Sequence, residues 1–509
     1  MKIRPYKMMS LTRRSVRVNF IFQSVTNCDR LRSSGDRLSP LENEKNYSYD
    51  GYLGTDCPQV ASWSQNVTNS KQYLYMTPSI SQLSTLVGET ITLQGWAYNF
   101  RSSGKIFFLQ FRDGSGRVQV VYSAGDLPAE QWDALKSLTL ESSVTVTGLV
   151  KAEPRAPSGF EIQGTAFAII ALAPEDYPIA NKEHGPDFLF DNRDLYLRSA
   201  TPWATLRIRD QVFFSIEQFF HEAGFIRFDT PILQPTSCED TTQLFSVDYY
   251  GNPMYLSQSG QLYSEAGIMS FGKVYDFGPV FRAEKSKTRH HLSELWMMDA
   301  EMAFHDQVDN MAVQERMVKR IVGDVLKFCA PELKILERDT TLLQKLVDEP
   351  FVHLKHAEAK AILIADGIAD VDPLDDMGTE EEIYLGNKYQ LPIFIEDYPA
   401  AVKAFYMKRY VDEAGVLRAR NADLIAPEEG REIIGGSQRE ESYDALKKEI
   451  VDRGYPLAEY DWYLNTRKYG AVQHSGFGIG LERTVRWITG NHHIRETIAF
   501  PRMLNRSTP

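Results

Sequence analysis

Between Ile91 and Ile170 the chain breaks into five short runs with apolar and polar residues in alternation: ITLQGWAYNF, KIFFLQFRD, RVQVVYS, SVTVTGLVKA and FEIQGTAFAII. Alternation with period two sends successive side chains to opposite faces, so each run reads as a strand with one buried face. The breaks SSG, GSG and EPRAPSG carry the Gly and Pro that tight turns need, and a helical stretch fits only near Pro128–Leu138. Five strands and one helix make a small barrel or sandwich, two outcomes the pattern alone separates poorly.

Past this region APEDYPIANKEHGPDF reads as a hinge, and Trp203–Ala223 repeats apolar residues at helical spacing. The remainder mixes strand-like runs with helices, as expected for an α+β domain with a mostly antiparallel sheet. The expected organisation is a poorly ordered extension over residues 1–76, a barrel of the oligonucleotide-binding kind over 77–173, a hinge over 174–195 and a large domain over 196–509.

A length of 509 residues gives room for two or three domains. A net charge of -12 argues against indiscriminate coating of nucleic acid, while leaving room for a local basic surface. Cys28, Cys57, Cys238 and Cys329 form no paired spacing, so no zinc site or disulfide framework is expected and a reducing compartment is the simplest reading. No apolar run approaches the length of a membrane span. Residues 1–38 hold nine basic residues against Asp29 and Asp36. That composition suits either a transit peptide to an organelle or an extension ahead of Met76 in a cytoplasmic protein.

Three segments of the large domain bear on chemistry. They are GFIRFDTPIL (Gly224–Leu233), VFRAEKSKTRHHLSELWMMDAEMAF (Val280–Phe304) and GFGIGLERTVRWITG (Gly476–Gly490). Each alone is weak, since Arg-x-Glu is common and a Gly-rich strand can serve close packing only. In this order and spacing they resemble motifs 1, 2 and 3 of the class II aminoacyl-tRNA synthetases, most closely the aspartyl/asparaginyl subclass, from about Thr77 to Pro509.

The resemblance implies a homodimer that uses ATP and Mg²⁺ to activate an amino acid and load it onto tRNA. It implies that Arg282 bridges the amino-acid carboxylate and the α-phosphate, that Glu284 accepts from adenine and that Arg483 meets the γ-phosphate. A planar bidentate donor suits the task of joining two anions. Asp423 and Glu432 match Mg²⁺-holding carboxylates, with Gly435 where relatives carry a serine ligand. Motif 2 departs from the pattern twice. His290 stands in place of an arginine, leaving phosphate contact to Arg289 and His291, and Leu295 stands in place of the aromatic that stacks adenine.

Aspartate and asparagine differ in charge more than in shape, so the pocket must discriminate by electrostatics. Aspartyl enzymes place a lysine where QSGQLYSE has Ser264. Without that cation a buried carboxylate costs more than an amide, which favours L-asparagine and tRNA(Asn), with an aspartyl or non-discriminating enzyme as the alternative. Arg439 matches the arginine that meets the side-chain oxygen, Glu294 is placed to accept from the amide, and Gln261 and Glu239 match the residues holding the α-amino group. In the barrel Phe108 and Gln119 match positions that stack and hydrogen-bond the central anticodon base. Strand alternation puts one of Phe107 and Phe108 inside and the other outside.

Overall fold

The computed structural model describes residues 78–509 apart from 157, 180–181, 239–242, 287 and 369, so the expected extension over 1–76 lies outside the described residues. Contacts divide the chain at Glu175/Asp176 into two compact units.

The first unit is a closed five-stranded barrel of β1 (Thr90–Ser103), β2 (Ile106–Arg112), β3 (Arg117–Ser123), β4 (Ser143–Ala152) and β5 (Phe160–Ala171), with helix α1 (Ala129–Lys136) between β3 and β4. Alternation does what the sequence requires. In β2 Phe107, Leu109 and Phe111 are buried, while Phe108, Gln110 and Arg112 face outward. Gly164 faces inward against Tyr122, where an added Cβ would fall 2.1 Å from the ring. A glycine is therefore what lets that ring fill the barrel.

The second unit is built on an eight-stranded sheet. In chain order its strands are β6 (Ile226–Arg227), β7 (Lys273–Phe281), β8 (Glu294–Ala303), β9 (Val352–Lys355), β10 (Ile393–Glu396), β11 (Asn421–Ala426), β12 (Arg431–Gln438) and β13 (His474–Gly480). Their order across the sheet is β9-β10-β11-β12-β13-β8-β7-β6. Five pairings are antiparallel, and only β9 with β10 and β6 with β7 are parallel.

One face of this sheet is covered by α2 (Ala200–Glu222) and α4 (Gln307–Phe328), which frame α3 (Gln261–Phe271) in the sequence. Helix α2 buries Ile208, Val212, Ile216 and Phe220, the stripe expected from Trp203–Ala223, and α4 starts at Asp306, whose carboxylate caps Val308 and Asp309. Met298, Ala300 and Met302 of β8, with Phe477 and Ile479 of β13, join the same core. The opposite face of the central strands is left for the site.

The stretch expected as a hinge, 174–195, carries regular structure at its C-terminal end. It holds the short helix Pro186–Asp191 and runs into a second, Arg193–Tyr196. Arg193 is buried and donates to the carbonyls of Ala499 and Ile498 at 2.9 and 3.0 Å, which ties this end of the stretch into the second unit.

Candidate active site

The central strands make the site by pairing side chains with glycines. On β8 the residues facing away from the core are Met297, Asp299 and Glu301, and their register partners on β13 are Gly480, Gly478 and Gly476. A Cβ at Gly476 would lie 2.1 Å from Glu301 Oε1, and one at Gly478 2.7 Å from Asp299 Oδ1. The glycines of GFGIG thus let two carboxylates lie across a neighbouring strand, while Phe477 and Ile479 between them fill the core.

Two adjoining cavities open over this face. The first, about 160 Å³, is lined by Arg282, Glu284, His290, His291, Leu295, Glu432 and Arg483 among others. The second, about 550 Å³, is lined by Gln261, Arg282, Asp299, Lys403, Asp423, Glu432 and Arg439 among others. Arg282, Met297, Glu432, Gly435 and Gly478 line both, so the two form one continuous cleft with Arg282 at the seam. Arg282 follows directly on β7 and is held by its backbone N–H donating to Ser293 at 3.0 Å across the motif 2 hairpin.

In the smaller cavity Arg483, in the first turns of helix α5 (Leu481–Thr489), donates to the Glu432 carbonyl at 2.8 Å. Burial, then the charges of Arg486, Arg431, Arg289 and Arg483, push the His290 imidazole down to about 3, and burial with Arg483 also lowers His291. Both rings are therefore neutral near pH 7, in surroundings rich in positive charge.

In the larger cavity Arg439, buried, pairs with Glu301 at 2.5 Å and donates to Ser437 Oγ at 2.6 Å. Burial alone would lower the Arg439 guanidinium, and Glu301 more than offsets it, while burial pushes the Glu301 carboxyl up to about 8 against the pull of Arg439. Asp299 accepts from Ser259 Oγ at 2.9 Å and from the Gly260 N–H at 2.8 Å. Lys403 Nζ reaches Asp423 Oδ2 at 2.7 Å and Asp376 Oδ1 at 3.1 Å, above the Tyr398 ring.

Asp423 and Glu432 converge over Gly435, where a Cβ would lie 3.0 Å from Glu432 Oε1 and 3.9 Å from Asp423 Oδ1. Burial pushes Asp423 up to about 6, with Lys403 opposing and Glu432 adding to the rise. Two hard oxygen donors at one point, strained by like charge, fit a divalent cation. Among the described residues no three His, Cys, Asp or Glu side chains group to hold a metal, so a cation held by these two carboxylates would complete its shell with oxygens from water or from a ligand.

Two expected site residues, Arg289 and Glu294, are not brought to the cleft. Arg289 turns away to Glu429 Oε2 at 2.8 Å and His492 at 2.9 Å, and His290 lines the cavity instead. Glu294 opens β8 opposite Phe281, bridges to Arg502 and lines neither cavity. Ser264 is wholly buried, its Oγ has no partner among the described residues, and it too lines neither cavity. Glu239 lies outside the described residues. Conversely, Asp299 and Lys403 line the cleft without having been singled out. Strand alternation from Leu295 through Met297 signals Asp299, whereas nothing local signals Lys403.

On the barrel, the outer face of β1 to β3 carries three stacked pairs. Arg101 lies over Phe108 at 4.6 Å, Arg112 over Trp96 at 4.8 Å and Arg117 over Tyr98 at 4.7 Å. Gln119 accepts from Gln110 at 2.9 Å and donates to Glu161 at 3.0 Å in the same outer row.

The comparisons with known proteins agree with this geometry. Residues 185–504 match the family described as tRNA synthetases class II (D, K and N), and residues 91–170 match the OB-fold nucleic acid binding domain. The asparagine–tRNA ligase of Chloroflexus aurantiacus is 47% identical over 442 residues, covering 86% of this chain and 100% of that protein. That of Lactococcus lactis subsp. cremoris is 46% identical over 445 residues, covering 85% and 99%. The asparaginyl-tRNA synthetase of Pyrococcus horikoshii, complexed with asparaginyl-adenylate, superimposes with a TM-score of 0.80 at 36% identity, over 86% of this chain and 100% of that one. The Entamoeba histolytica asparaginyl-tRNA synthetase, also with asparaginyl-adenylate, gives 0.74 at 30% identity, over 83% and 97%. By sequence, fold and the layout of its cleft, the chain belongs to the class II tRNA synthetases of the D, K and N group, on the asparaginyl branch.

Proposed function

We propose that this protein is an asparagine–tRNA ligase: it condenses L-asparagine with ATP to asparaginyl-adenylate and diphosphate, then passes the asparaginyl group to tRNA(Asn), releasing AMP. The observation that carries the choice of asparagine is the charge balance of the larger cavity. Arg439 is paired with Glu301 and Lys403 with Asp423 and Asp376, and Arg453 lies within 3.8 Å of Glu449. Arg282 forms no ion pair among the described residues, and it is the cation needed for the reacting carboxylate. An aspartate side chain would find no spare positive charge there, whereas an amide needs none.

In the reaction an oxygen of the asparagine carboxylate bonds to the α-phosphorus and the bond to the bridging oxygen breaks, with diphosphate leaving. The nucleophile is already ionised and needs no base. Arg282, at the seam of the cavities, neutralises both reacting anions. Glu284 and Leu295 hold the adenine, His291 and Arg483 the phosphates, and Gln261 and Glu239 the α-amino group. Arg439 meets the side-chain oxygen. Asp423 and Glu432 hold Mg²⁺, which when bound supplies positive charge to the phosphates. Asp299, which lines the larger cavity, takes the place of Glu294 as the carboxylate that faces the amide.

The barrel, residues 77–173, takes the anticodon, with Phe108 stacking and Gln119 hydrogen-bonding its central base, and residues 196–509 carry the catalysis. The protein works as a homodimer through Gly224–Leu233, a segment that leaves Ile226 and Ile232 49% and 43% exposed. Acylation of tRNA(Asn) with radiolabelled asparagine tests the reading. The full chain charges it, Arg282→Ala does not, and charging with aspartate instead would overturn the proposal.

A further inference from the structure

Behind the larger cavity lies a buried polar network that meets the cleft at Gln261 and at Arg439. Glu265, 0% exposed, is one turn after Gln261 on α3. It accepts from Gln261 Nε2 at 3.0 Å, from Tyr463 O–H at 2.8 Å and from Arg467 Nη2, and lies 3.1 Å from His474 Nε2. Arg467 in turn donates to the Glu440 carbonyl at 2.9 Å, and the Arg439 N–H donates to the His474 carbonyl at 2.9 Å. One network therefore joins Gln261 at one end of the pocket to Arg439 at the other.

The chemistry of the Gln261–Glu265 contact is directional. An ionised carboxylate only accepts hydrogen bonds, so it can engage the amide nitrogen of Gln261 but not its oxygen. Burial would push Glu265 toward the neutral form, but Arg467 and His474 hold it below the usual carboxylate range. The amide thus has one stable orientation. Its Oε1 makes no hydrogen bond among the described residues and is not sealed from solvent, in a side chain that lines the cavity. A lone acceptor fixed at the rim of a pocket suits a ligand with several donors and a positive charge, such as an ammonium.

We propose that Glu265 is a positioning residue for amino-acid recognition: by holding the Gln261 nitrogen it turns the Gln261 oxygen toward the substrate's α-ammonium. This rests on the reading of the larger cavity as the asparagine pocket. The role follows from a contact four residues along one helix, with both partners buried and the ion balanced by Arg467.

The test compares asparagine with succinamate, which is asparagine without its α-ammonium. ATP–diphosphate exchange gives KM for asparagine and ATP, and competition gives the inhibition constant of succinamate, for wild type and Glu265→Gln. A glutamine at 265 can offer its own nitrogen and no longer selects one orientation. KM for asparagine should rise about tenfold to hundredfold, as for loss of a hydrogen bond to a charged group, with KM for ATP unchanged. The succinamate constant should stay within about twofold, since succinamate never uses the Gln261 oxygen. A merely structural role would move both constants together, and that result, or no change in either, overturns the proposal. Because Glu265→Gln leaves Arg467 uncompensated, the double variant Glu265→Gln/Arg467→Met serves if the single one does not fold, with the same two outcomes. A wild-type enzyme in which succinamate and asparagine fail to compete would remove the pocket assignment itself, and this proposal with it.

Discussion

Asp299 of β8 and Gly478 of β13 are register partners, and the carboxylate of the first occupies the space a side chain on the second would take, since a Cβ there would lie 2.7 Å from Oδ1. The same relationship links Glu301 and Gly476, but there a Cβ would also fall 2.4 Å from the Ala300 backbone carbonyl. The two glycines should respond differently. Gly478→Ala displaces only a side-chain end, so the protein folds while KM for asparagine rises about tenfold or more. Gly476→Ala meets backbone, so it costs roughly 3 kcal/mol or more and shows as a fall in the thermal midpoint. Equal effects of the two on stability would contradict this reading.

Gly435 lies beneath the convergence of Asp423 and Glu432. Its Cβ position is 3.0 Å from Glu432 Oε1, the end of a side chain that is 39% exposed and free to give way. Gly435→Ser adds a third oxygen at the convergence of Asp423 and Glu432. The Mg²⁺ concentration for half-maximal ATP–diphosphate exchange should fall about threefold or more, corresponding to roughly 0.7 kcal/mol. A rise in that concentration would mean the carboxylates do not share a cation.

His290 offers a test in pH. Burial and four arginines push its imidazole down to about 3, below the ordinary value near 6.5 of the unfolded chain. The unfolded chain takes up a proton that the folded one refuses. Stability is therefore intact above about 6.5 and is lost as pH falls from there toward 3. His290→Asn, which cannot titrate, should lose less of its thermal midpoint between about pH 6.5 and 4 than the wild type does. Parallel profiles would show that the ring is not desolvated as described.

The barrel and the catalytic unit should separate in mutation. Phe108→Ala removes the ring beneath Arg101 on the outer face of β2. Loss of one base stack is worth roughly 1–3 kcal/mol, so charging of tRNA(Asn) should drop about fivefold to a hundredfold at limiting tRNA. ATP–diphosphate exchange without tRNA should be unchanged. A parallel loss in exchange would place Phe108 in the fold rather than in recognition.

What could be read from sequence follows a physical line. Period-two alternation marked the barrel strands and required one of Phe107 and Phe108 to face in, because the pleat sends neighbours to opposite faces, and the structure buries Phe107. The second and third motif segments pointed to Arg282 and Arg483, the family resemblance pointed separately to Glu432, and all three line one cavity. The misses are of another kind. Arg289 was expected at the phosphates, but its long side chain finds Glu429, 140 residues away, and no local pattern reports such a partner. Lys403 and the Glu265–Arg467 pair, 202 residues apart, are likewise products of tertiary packing. Ser264 pointed to the correct branch of the family although it lines neither cavity of the cleft, since it marks what the pocket lacks rather than what it contains.

The cleft with Arg282 at its seam activates the α-carboxylate of an amino acid whose side chain is a neutral amide and refuses one whose side chain is a second carboxylate. ATP–diphosphate exchange by the full chain, run with asparagine and aspartate side by side, measures this directly. The expected result is robust exchange with asparagine and a kcat/KM for aspartate lower by about a hundredfold or more, the cost of an uncompensated buried charge. Exchange with aspartate alone, or with both amino acids equally, would contradict it.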